Sequence, residues 1–338
     1  MVLRIIVTSF LLCSLFACLV FLSKISAKLL GIDVHSLSSI GAPSQWSINA
    51  NANFTPGRGS RQYRQEVYSK AIRQNSRHLH KVRKYRVQSG VHQKALKRVC
   101  YLTLPDEKWP SLNPEEIDGS LCTHIIIGFA QVQNATLIPI LPQDAAFYQR
   151  VASMKEAHPD LKVMLSVGGG NTDEGFRELV TENQKLVEFS KNSAQFLKSL
   201  SLDGIDIDWE FPAWYTPFEE RFLFVKFLQQ LHLIYKNPSN NLLISVAVAA
   251  PKSIVDRSYR VAEMAHYVDF INLMGYDFHS FKWYLPLTGH NSPLYPRSNE
   301  WNVFQTVNLN FSAYYWVQLG MPKEKLVIGL PTYGQTYA

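Results

Sequence analysis

The sequence predicts an α/β fold, a parallel (β/α)8 TIM barrel that is incomplete at its C-terminus. From Val99 onward, short apolar segments of strand-like composition alternate with longer segments of helical periodicity, which is typical of a parallel sheet with crossover helices. About seven such βα units fit into residues 99–338, close to the eight of a closed barrel. An active site in this fold lies at the C-terminal ends of the strands.

Each predicted strand is a short apolar run bounded by polar or turn-forming residues. The predicted strands are Val99–Thr103, His124–Ala130, Lys162–Val167, Gly204–Trp209, Leu242–Ala249, Val268–Met274 and Leu326–Leu330. Two of the intervening helices have an apolar face with a period near 3.6 residues. One face consists of Leu186, Phe189, Phe196, Leu197 and Leu200, and the other lies within residues 222–235.

The fourth predicted strand contains a row of acidic side chains. Because side chains alternate between the faces of a strand, three carboxyl groups share one face and three large apolar groups share the other. The two sets are Asp206, Asp208 and Glu210, and Ile205, Ile207 and Trp209. Coupled carboxyl groups can keep one member, here Glu210, protonated near neutral pH as an acid. A solvated edge strand or a calcium loop would not need such large apolar neighbours.

Charge is distributed unevenly along the 338 residues. Residues 58–98 contain 13 Lys or Arg and a single acid, whereas residues 99–338 carry a net charge of −7. Residues 31–98 are rich in polar residues without a sustained apolar period, which predicts a basic, flexible stem. The high isoelectric point belongs to this stem, so we expect no nucleic acid partner for the domain over residues 99–338.

An apolar segment covers residues 5–22 and has basic residues on both sides. Its 18 residues lie at the boundary between a long signal peptide and a short membrane span, so residues 1–30 are predicted to be a signal peptide or a signal anchor. We therefore expect the secretory pathway, with the domain extracellular or held outside a membrane by this single span.

Two further features fit that compartment. Outside the apolar segment only Cys100 and Cys122 remain, and an even pair in a secreted chain favours a disulfide over two buried free thiols. Asn53, Asn134 and Asn310 each begin an Asn-x-Ser/Thr sequence and are predicted glycosylation sites.

Several ordered motifs resemble those of glycoside hydrolase family 18, the chitinases and chitinase-like proteins. The resemblance covers about residues 99–338, and the acidic motif followed by Phe211-Pro212 is its most specific part. The matching segments are Val99-Cys-Tyr, Leu121-Cys-Thr-His-Ile-Ile-Ile-Gly-Phe-Ala130, Ser166-Val-Gly-Gly169, Met274-Gly-Tyr-Asp277, Thr288-Gly-His-Asn-Ser-Pro-Leu-Tyr295 and Gly329-Leu-Pro-Thr-Tyr-Gly334.

The resemblance implies a role for each matching residue. Glu210 stands at the position of the general acid and base, and Asp208 at the position that orients the 2-acetamido group of the substrate. Asp206 is expected to share a proton with Asp208, and Tyr276 to hydrogen-bond the acetamido oxygen. In the family the 2-acetamido group of the substrate acts as the nucleophile, so the reaction is expected to retain the anomeric configuration without a glycosyl-enzyme bond. No metal or cofactor is expected. The further sugar-binding positions are Tyr101, Phe129, Phe211, Met274, Asp277 and Tyr333.

Three positions depart from the family pattern. Gly170 stands where chitinases continue with a tryptophan, Gln335 replaces an expected arginine, and Pro105 falls where another tryptophan is usual. Lost aromatic rings weaken stacking on sugars. The family's α+β insertion and eighth strand are also missing after the seventh strand, so we expect this sequence to be a fragment, a short isoform or an incomplete gene model.

The leading functional hypothesis is an endo-acting hydrolase of chitin or chito-oligosaccharides, because the acidic row and Tyr276 are retained. A lectin or signalling protein that binds chito-oligosaccharides without cutting them is the alternative, favoured by Gly170 and Gln335. A third possibility is that this chain is not an active folded domain. The motifs leave open whether the substrate is cuticle, a microbial wall or an N-glycan core.

Overall fold

The strands of the protein follow the prediction closely in a computed structural model that describes residues 96–105, 112–170, 174–280 and 288–336. They are β1 (Val99–Thr103), β2 (His124–Gln133), β3 (Thr136–Pro139), β4 (Lys162–Gly168), β5 (Gly204–Asp208), β6 (Leu243–Ala249), β7 (Phe270–Met274) and β8 (Leu326–Ile328). Seven of them form a curled parallel sheet in the order β1, β2, β4, β5, β6, β7, β8, and β3 pairs antiparallel with β2. All seven predicted strands are present, so the prediction of an incomplete parallel α/β barrel is confirmed.

The predicted strands omit β3 and the last residues of β2. These two strands form a hairpin across Asn134 and Ala135, whose φ angles are 48° and 54°. Two consecutive positive φ values are typical of a type I′ turn, which usually contains glycine. Because Ala135 carries no such signal, the sequence did not indicate this hairpin.

Helices cover the outer face of the sheet. The described α-helices are α1 (Asp144–Ala157), α2 (Glu174–Thr181), α3 (Asn183–Ser199), α4 (Glu220–Tyr235), α5 (Lys252–Ser258), α6 (Val261–Met264) and α7 (Leu309–Gln318). The two predicted apolar faces lie on α3 and α4, where the ring centroids of Phe189 and Phe227 are 5.7 Å apart. Trp209, immediately after β5, is fully buried, with ring centroids 5.4 Å from Phe176 and 5.8 Å from Phe224. Because side chains alternate along a strand, this packing of Trp209 on the outer side directs Asp206 and Asp208 toward the inside of the barrel.

The inside of the barrel consists of two layers of different polarity. The lower layer, toward the N-terminal ends of the strands, is apolar and contains Ile126, Met164 and Phe270, with Val99, Leu243 and Val327 packed against them. Two residues further along each strand the side chains point inward again. At that level the inward residues are polar and include Tyr101, Ser166, Asp206, Ser245 and Asn272. The apolar layer thus closes the base of the barrel beneath a polar mouth.

The strand order ends at β1 and at β8, and no pairing joins these two strands among the described residues. Cys100 and Cys122 form a disulfide with their Cα atoms 6.1 Å apart, as predicted. It ties β1 to the loop that precedes β2. Such a link limits the freedom of an edge strand that has a sheet neighbour on one side only.

Only some of the predicted glycosylation sites, and none of the predicted signal or anchor segment, lie within the described residues. Asn134 is exposed in the β2–β3 turn, Asn310 is exposed in the first turn of α7, and Asn53 lies outside the described residues. The apolar segment 5–22 and residues 31–95 of the basic stem also lie outside them. No helix in the described part of the chain is long and apolar enough to cross a membrane.

Candidate active site

Asp206 is the centre of the polar layer and is fully buried. Its Oδ1 accepts hydrogen bonds from Ser245 Oγ at 2.6 Å and from Asn272 Nδ2 at 3.1 Å. Its Oδ2 accepts hydrogen bonds from the Tyr101 hydroxyl and Ser166 Oγ, both at 2.8 Å. Burial raises the pKa of Asp206, and these four donors act in the opposite direction by stabilising the carboxylate.

The register of the sheet explains this convergence. Ser166 on β4 and Ser245 on β6 are the direct neighbours of Asp206 on the two sides of β5. Tyr101 on β1 and Asn272 on β7 reach Asp206 across the interior of the barrel, and Asn272 Nδ2 also donates to the Tyr101 hydroxyl at 3.0 Å. The carboxylate therefore joins five strands through neutral donors.

Asp208 lies two residues further toward the mouth and is almost fully buried. Its Oδ1 is inaccessible to solvent and has no hydrogen-bond partner within the described part of the chain. Burial, followed by the charges of Glu210 and Asp206, raises the pKa of Asp208 well above its ordinary value. This favours the protonated form of Asp208. No hydrogen bond joins Asp206 and Asp208 in this structure, so sharing of a proton between them remains a prediction.

Two glycines bring the end of β4 against the backbone of β5. Gly168 has a φ of 108°, and a Cβ atom there would lie 2.2 Å from the carbonyl oxygen of Asp208. The Gly169 N–H donates to that same oxygen at 2.9 Å. Only glycine accommodates this approach. The Ser-x-Gly-Gly motif therefore holds the peptide that joins Asp208 to the rest of the acidic row.

Glu210 is partly exposed at the mouth, two residues beyond the end of β5. Burial, followed by the charge of Asp277, raises the pKa of Glu210. A Cβ atom built at Gly170 would lie 4.0 Å from Glu210 Oε1, in ordinary van der Waals contact. A tryptophan at position 170 would thus stand beside the acid, and among the described residues only Glu210 comes within 4 Å of this Cβ position.

Tyr276 and Asp277 follow β7 and face the acidic row. Burial, followed by the charges of Asp208 and Glu210, raises the pKa of Tyr276. Asp277 adopts a φ of 56° and accepts hydrogen bonds from the Tyr333 hydroxyl at 2.8 Å and from Gln335 Nε2 at 3.0 Å. Gln335 therefore replaces the expected arginine with a neutral donor, and the negative charge of Asp277 has no cationic partner among the described residues.

The remaining predicted residues lie at or near the C-terminal ends of the strands. Phe129 contacts Gly169 at the end of β4, and a Cβ atom at Gly169 would lie 3.3 Å from its ring. Met274 ends β7, and Phe211 directly follows the acid. Sequence reasoning did not assign roles to Ser245 and Asn272. Their signal was a polar residue at an inward position of an otherwise apolar strand.

The comparison with protein families decides the identity of this fold. The family model for glycosyl hydrolases family 18 matches residues 97–338. The chain belongs to glycoside hydrolase family 18. Mouse chitotriosidase-1 is 35% identical over 257 residues, a match that covers 72% of this chain and 54% of the relative. Human chitinase-3-like protein 2 is 35% identical over 255 residues, covering 72% of this chain and 64% of the relative.

Solved structures of the family are also similar. Human YKL-39, solved in the presence of chitooligosaccharides, is 34% identical with a TM-score of 0.63, covering 70% of this chain and 66% of that structure. YKL-39 is described as a pseudo-chitinase that retains chitooligosaccharide binding. The Group II chitinase catalytic domain 2 of Ostrinia furnacalis is 31% identical with a TM-score of 0.64, covering 71% and 65%. The chain thus spans between about half and two thirds of these relatives.

Proposed function

We propose that this family 18 protein hydrolyses β-1,4-linked N-acetylglucosamine polymers, chitin or chito-oligosaccharides, by a retaining, substrate-assisted mechanism. The observation that carries the proposal is the buried Oδ1 of Asp208, which has no hydrogen-bond partner among the described residues and belongs to an intact acidic row with Glu210. A buried oxygen without a partner is costly unless a ligand supplies one. The N–H of a substrate acetamido group is a suitable partner.

In the first step Glu210 donates its proton to the glycosidic oxygen while the acetamido oxygen of the substrate attacks the anomeric carbon. The glycosidic C–O bond breaks, the leaving sugar departs as an alcohol, and a cyclic oxazolinium ion forms. Asp208 accepts the acetamido N–H and stabilises the positive charge, and the Tyr276 hydroxyl donates to the acetamido oxygen. The raised pKa of Glu210 keeps the proton available for this donation.

In the second step the ionised Glu210 removes a proton from water, which attacks the same face from which the leaving group departed. The ring of the oxazolinium ion opens, and the anomeric configuration is retained without a glycosyl-enzyme bond. Asp206 keeps its four donors throughout, so its position is fixed while its charge acts on Asp208.

Binding without hydrolysis is the second candidate function. It is favoured by the glycine at position 170, by the neutral Gln335 and by the similarity to YKL-39. It is opposed by the acid itself, because a protein that only binds has no need of a buried acidic row that costs stability.

The test measures hydrolysis of a fluorogenic chito-oligosaccharide by the purified chain, with Glu210→Gln as the matched variant. General acid catalysis contributes about 10²–10⁴-fold, so turnover should fall by at least that factor while circular dichroism stays unchanged. A folded protein without turnover that still binds chito-oligosaccharides in calorimetry would favour the lectin.

We also propose that the protein passes through the secretory pathway, because the disulfide requires an oxidising compartment. The apolar segment 5–22 would act as a cleaved signal peptide or as an anchor. N-terminal sequencing of the protein from cells distinguishes the two: cleavage near residue 30 supports the signal peptide, and an intact N-terminus in the membrane fraction supports the anchor.

A further inference from the structure

Residues 288–295, one of the segments that match the family, have no role in the function proposed above. The structure places them against the backbone that follows β7. Asn291 Oδ1 accepts the Asp277 N–H at 3.2 Å, and the Asn291 carbonyl oxygen accepts the Phe278 N–H at 3.2 Å. Asn291 therefore holds two successive peptide groups of the loop on which Tyr276 and Asp277 stand at the mouth.

The residues on either side of this asparagine add further bonds to the same loop. Ser292 Oγ donates to the Gly275 carbonyl oxygen at 2.5 Å. His279 Nδ1 donates to the His290 carbonyl oxygen at 2.9 Å. The carbonyl oxygens of residues 293 and 294 accept N–H groups from the first turn of α7, at 2.9 and 3.1 Å. The segment is thus fixed to α7 on one side and bonded to the loop after β7 on the other.

The backbone that Asn291 holds has an uncommon conformation. Asp277 has a φ of 56°, in the left-handed region that residues other than glycine seldom adopt. The bond from its N–H to Asn291 helps to keep it there. Burial, followed by the hydrogen bond to Asp277, raises the pKa of Tyr333, and the Asn291 side chain acts in the opposite direction. Asn291 therefore interacts both with the backbone of Asp277 and with the tyrosine that donates to its carboxylate.

The place of Asp277 matters because its charge acts on the acid. Burial, followed by this charge, raises the pKa of Glu210. The other titratable groups that interact electrostatically with the acid include Asp208, Tyr259 and Tyr276. Of these groups, Asp277 is the one whose own N–H is bonded to Asn291. A shift of the Asp277 backbone would therefore change the field at Glu210 while the acidic row on β5 stays in place.

We propose that Asn291 is a positioning residue, which holds Asp277 in its left-handed conformation and so keeps the charge of Asp277 close to the acid Glu210. This inference deepens the proposed function and rests on it for the role of Glu210. Asn291 acts through Asp277 and needs no contact with the substrate. Without its bond, the Asp277 backbone would relax toward the commoner negative φ values, and the carboxylate would move with it.

The experiment titrates Glu210 directly, by carbon-13 NMR of labelled glutamate carboxyl groups in the purified chain, with Glu210→Gln to assign the signal. It needs no turnover and so separates this proposal from hydrolysis. Asn291→Ala should lower the pKa of Glu210 by roughly half a unit to one unit, because a nearby negative charge moves away. The matched control is Asn237→Ala, since Asn237 Oδ1 accepts the Ser239 N–H at 3.1 Å in the turn after α4. It should leave the pKa of Glu210 unchanged.

A double-mutant cycle shows whether Asn291 acts through Asp277. Asp277→Asn should itself lower the pKa of Glu210, and in that background Asn291→Ala should add no further fall. An equal fall in both backgrounds, or an unchanged pKa of Glu210 in Asn291→Ala with an unchanged circular dichroism spectrum, would overturn the proposal. Asn291→Ser, whose side chain is too short to make the same bond, is measured in parallel so that the result does not depend on the folding of one variant.

Kinetics connect the positioning to the proposed reaction. The alkaline limb of kcat/KM for a fluorogenic chito-oligosaccharide should move to lower pH in Asn291→Ala by the same amount as the pKa of Glu210, and should not move in Asn237→Ala. If the pKa of Glu210 falls in Asn291→Ala but the wild-type protein has no turnover, the positioning role stands and the proposed hydrolysis fails.

Discussion

The two ends of β5 hold the same kind of residue in opposite surroundings. At the base, Asp203 lies 2.9 Å from Lys155 Nζ and accepts the Val163 N–H at 2.8 Å. At the mouth, Asp206, Asp208 and Glu210 have no Lys or Arg partner within the described part of the chain. A carboxylate with a cation and a backbone donor ties elements together, whereas carboxyl groups without cations acquire raised pKa values.

The same device recurs at the base of a second strand. Asp269, just before β7, lies 2.6 Å from Lys236 Nζ and accepts the Ile244 N–H at 2.7 Å. In both cases an aspartate that precedes one strand bonds to the neighbouring strand and to a lysine. The two aspartates at the base therefore tie strands together through lysines, whereas the acidic row at the mouth has no lysine or arginine partner among the described residues.

The largest effect that tests this contrast comes from Asp208→Asn. Because its raised pKa already favours a neutral side chain, the substitution should change the melting temperature by no more than about 2 °C. Turnover of a fluorogenic chito-oligosaccharide should fall by about 10²–10³-fold, since an asparagine can accept the acetamido N–H but cannot supply the negative charge that stabilises the oxazolinium ion. A large loss of stability would show that Asp208 has a structural role like that of Asp203.

The converse substitution is Asp203→Asn at the base. It removes the ion pair with Lys155 and weakens the bond to Val163, both partly shielded from solvent. We expect the free energy of unfolding in urea to fall by about 1–2 kcal/mol and kcat to stay within twofold. If kcat also fell by more than twofold in this variant, Asp203 would have a role in catalysis as well as in stability.

Gln335→Arg would place a cation beside an aspartate at the mouth, as Lys155 is placed beside Asp203 at the base. An arginine beside Asp277 offsets the charge that helps to raise the pKa of Glu210, so that pKa should fall. Because the acid must be protonated, activity is lost as pH rises through its pKa, and the alkaline limb of kcat/KM should move to lower pH by up to about one unit. Gln335→Met, which adds no charge, serves as the control. If the alkaline limb of kcat/KM does not move in the arginine variant, the charge of Asp277 does not influence the pKa of Glu210.

The smallest expected effect is on stability at acid pH and involves His124, at the N-terminal end of β2. Burial, followed by the charges of Lys97 and Lys162, lowers the pKa of His124 to about 4 from an ordinary 6.5. The unfolded chain therefore binds the extra proton first, and the stability that neutral His124 contributes is complete above pH 6.5 and is lost as pH falls toward 4. The drop in urea midpoint between pH 7 and 4.5 should be smaller in His124→Gln. An equal drop would assign the acid sensitivity to other groups.

Much of the site could be predicted from local pattern. The alternation of residues 205–210 separates an acidic face from an apolar one, and the structure buries Ile205, Ile207 and Trp209 completely. The two helices and seven strands follow from periods that are local in sequence. The hairpin at Asn134 was missed because its turn contains alanine, whose positive φ is imposed by the pairing of β2 with β3.

The sequence by itself determined the parallel barrel, the acidic row and the cysteine pair, because each depends on residues that are close in the chain or on a count. Only the tertiary structure decided that Tyr101 and Asn272 meet at Asp206, and that Gln335 meets Asp277, 58 positions away. Contacts across a barrel depend on the register of every intervening strand, and no local period carries that information. A raised pKa of Glu210 was expected from the acidic row itself, whereas the directions of the pKa shifts of Tyr276 and His124 follow from groups that meet only in the assembled barrel.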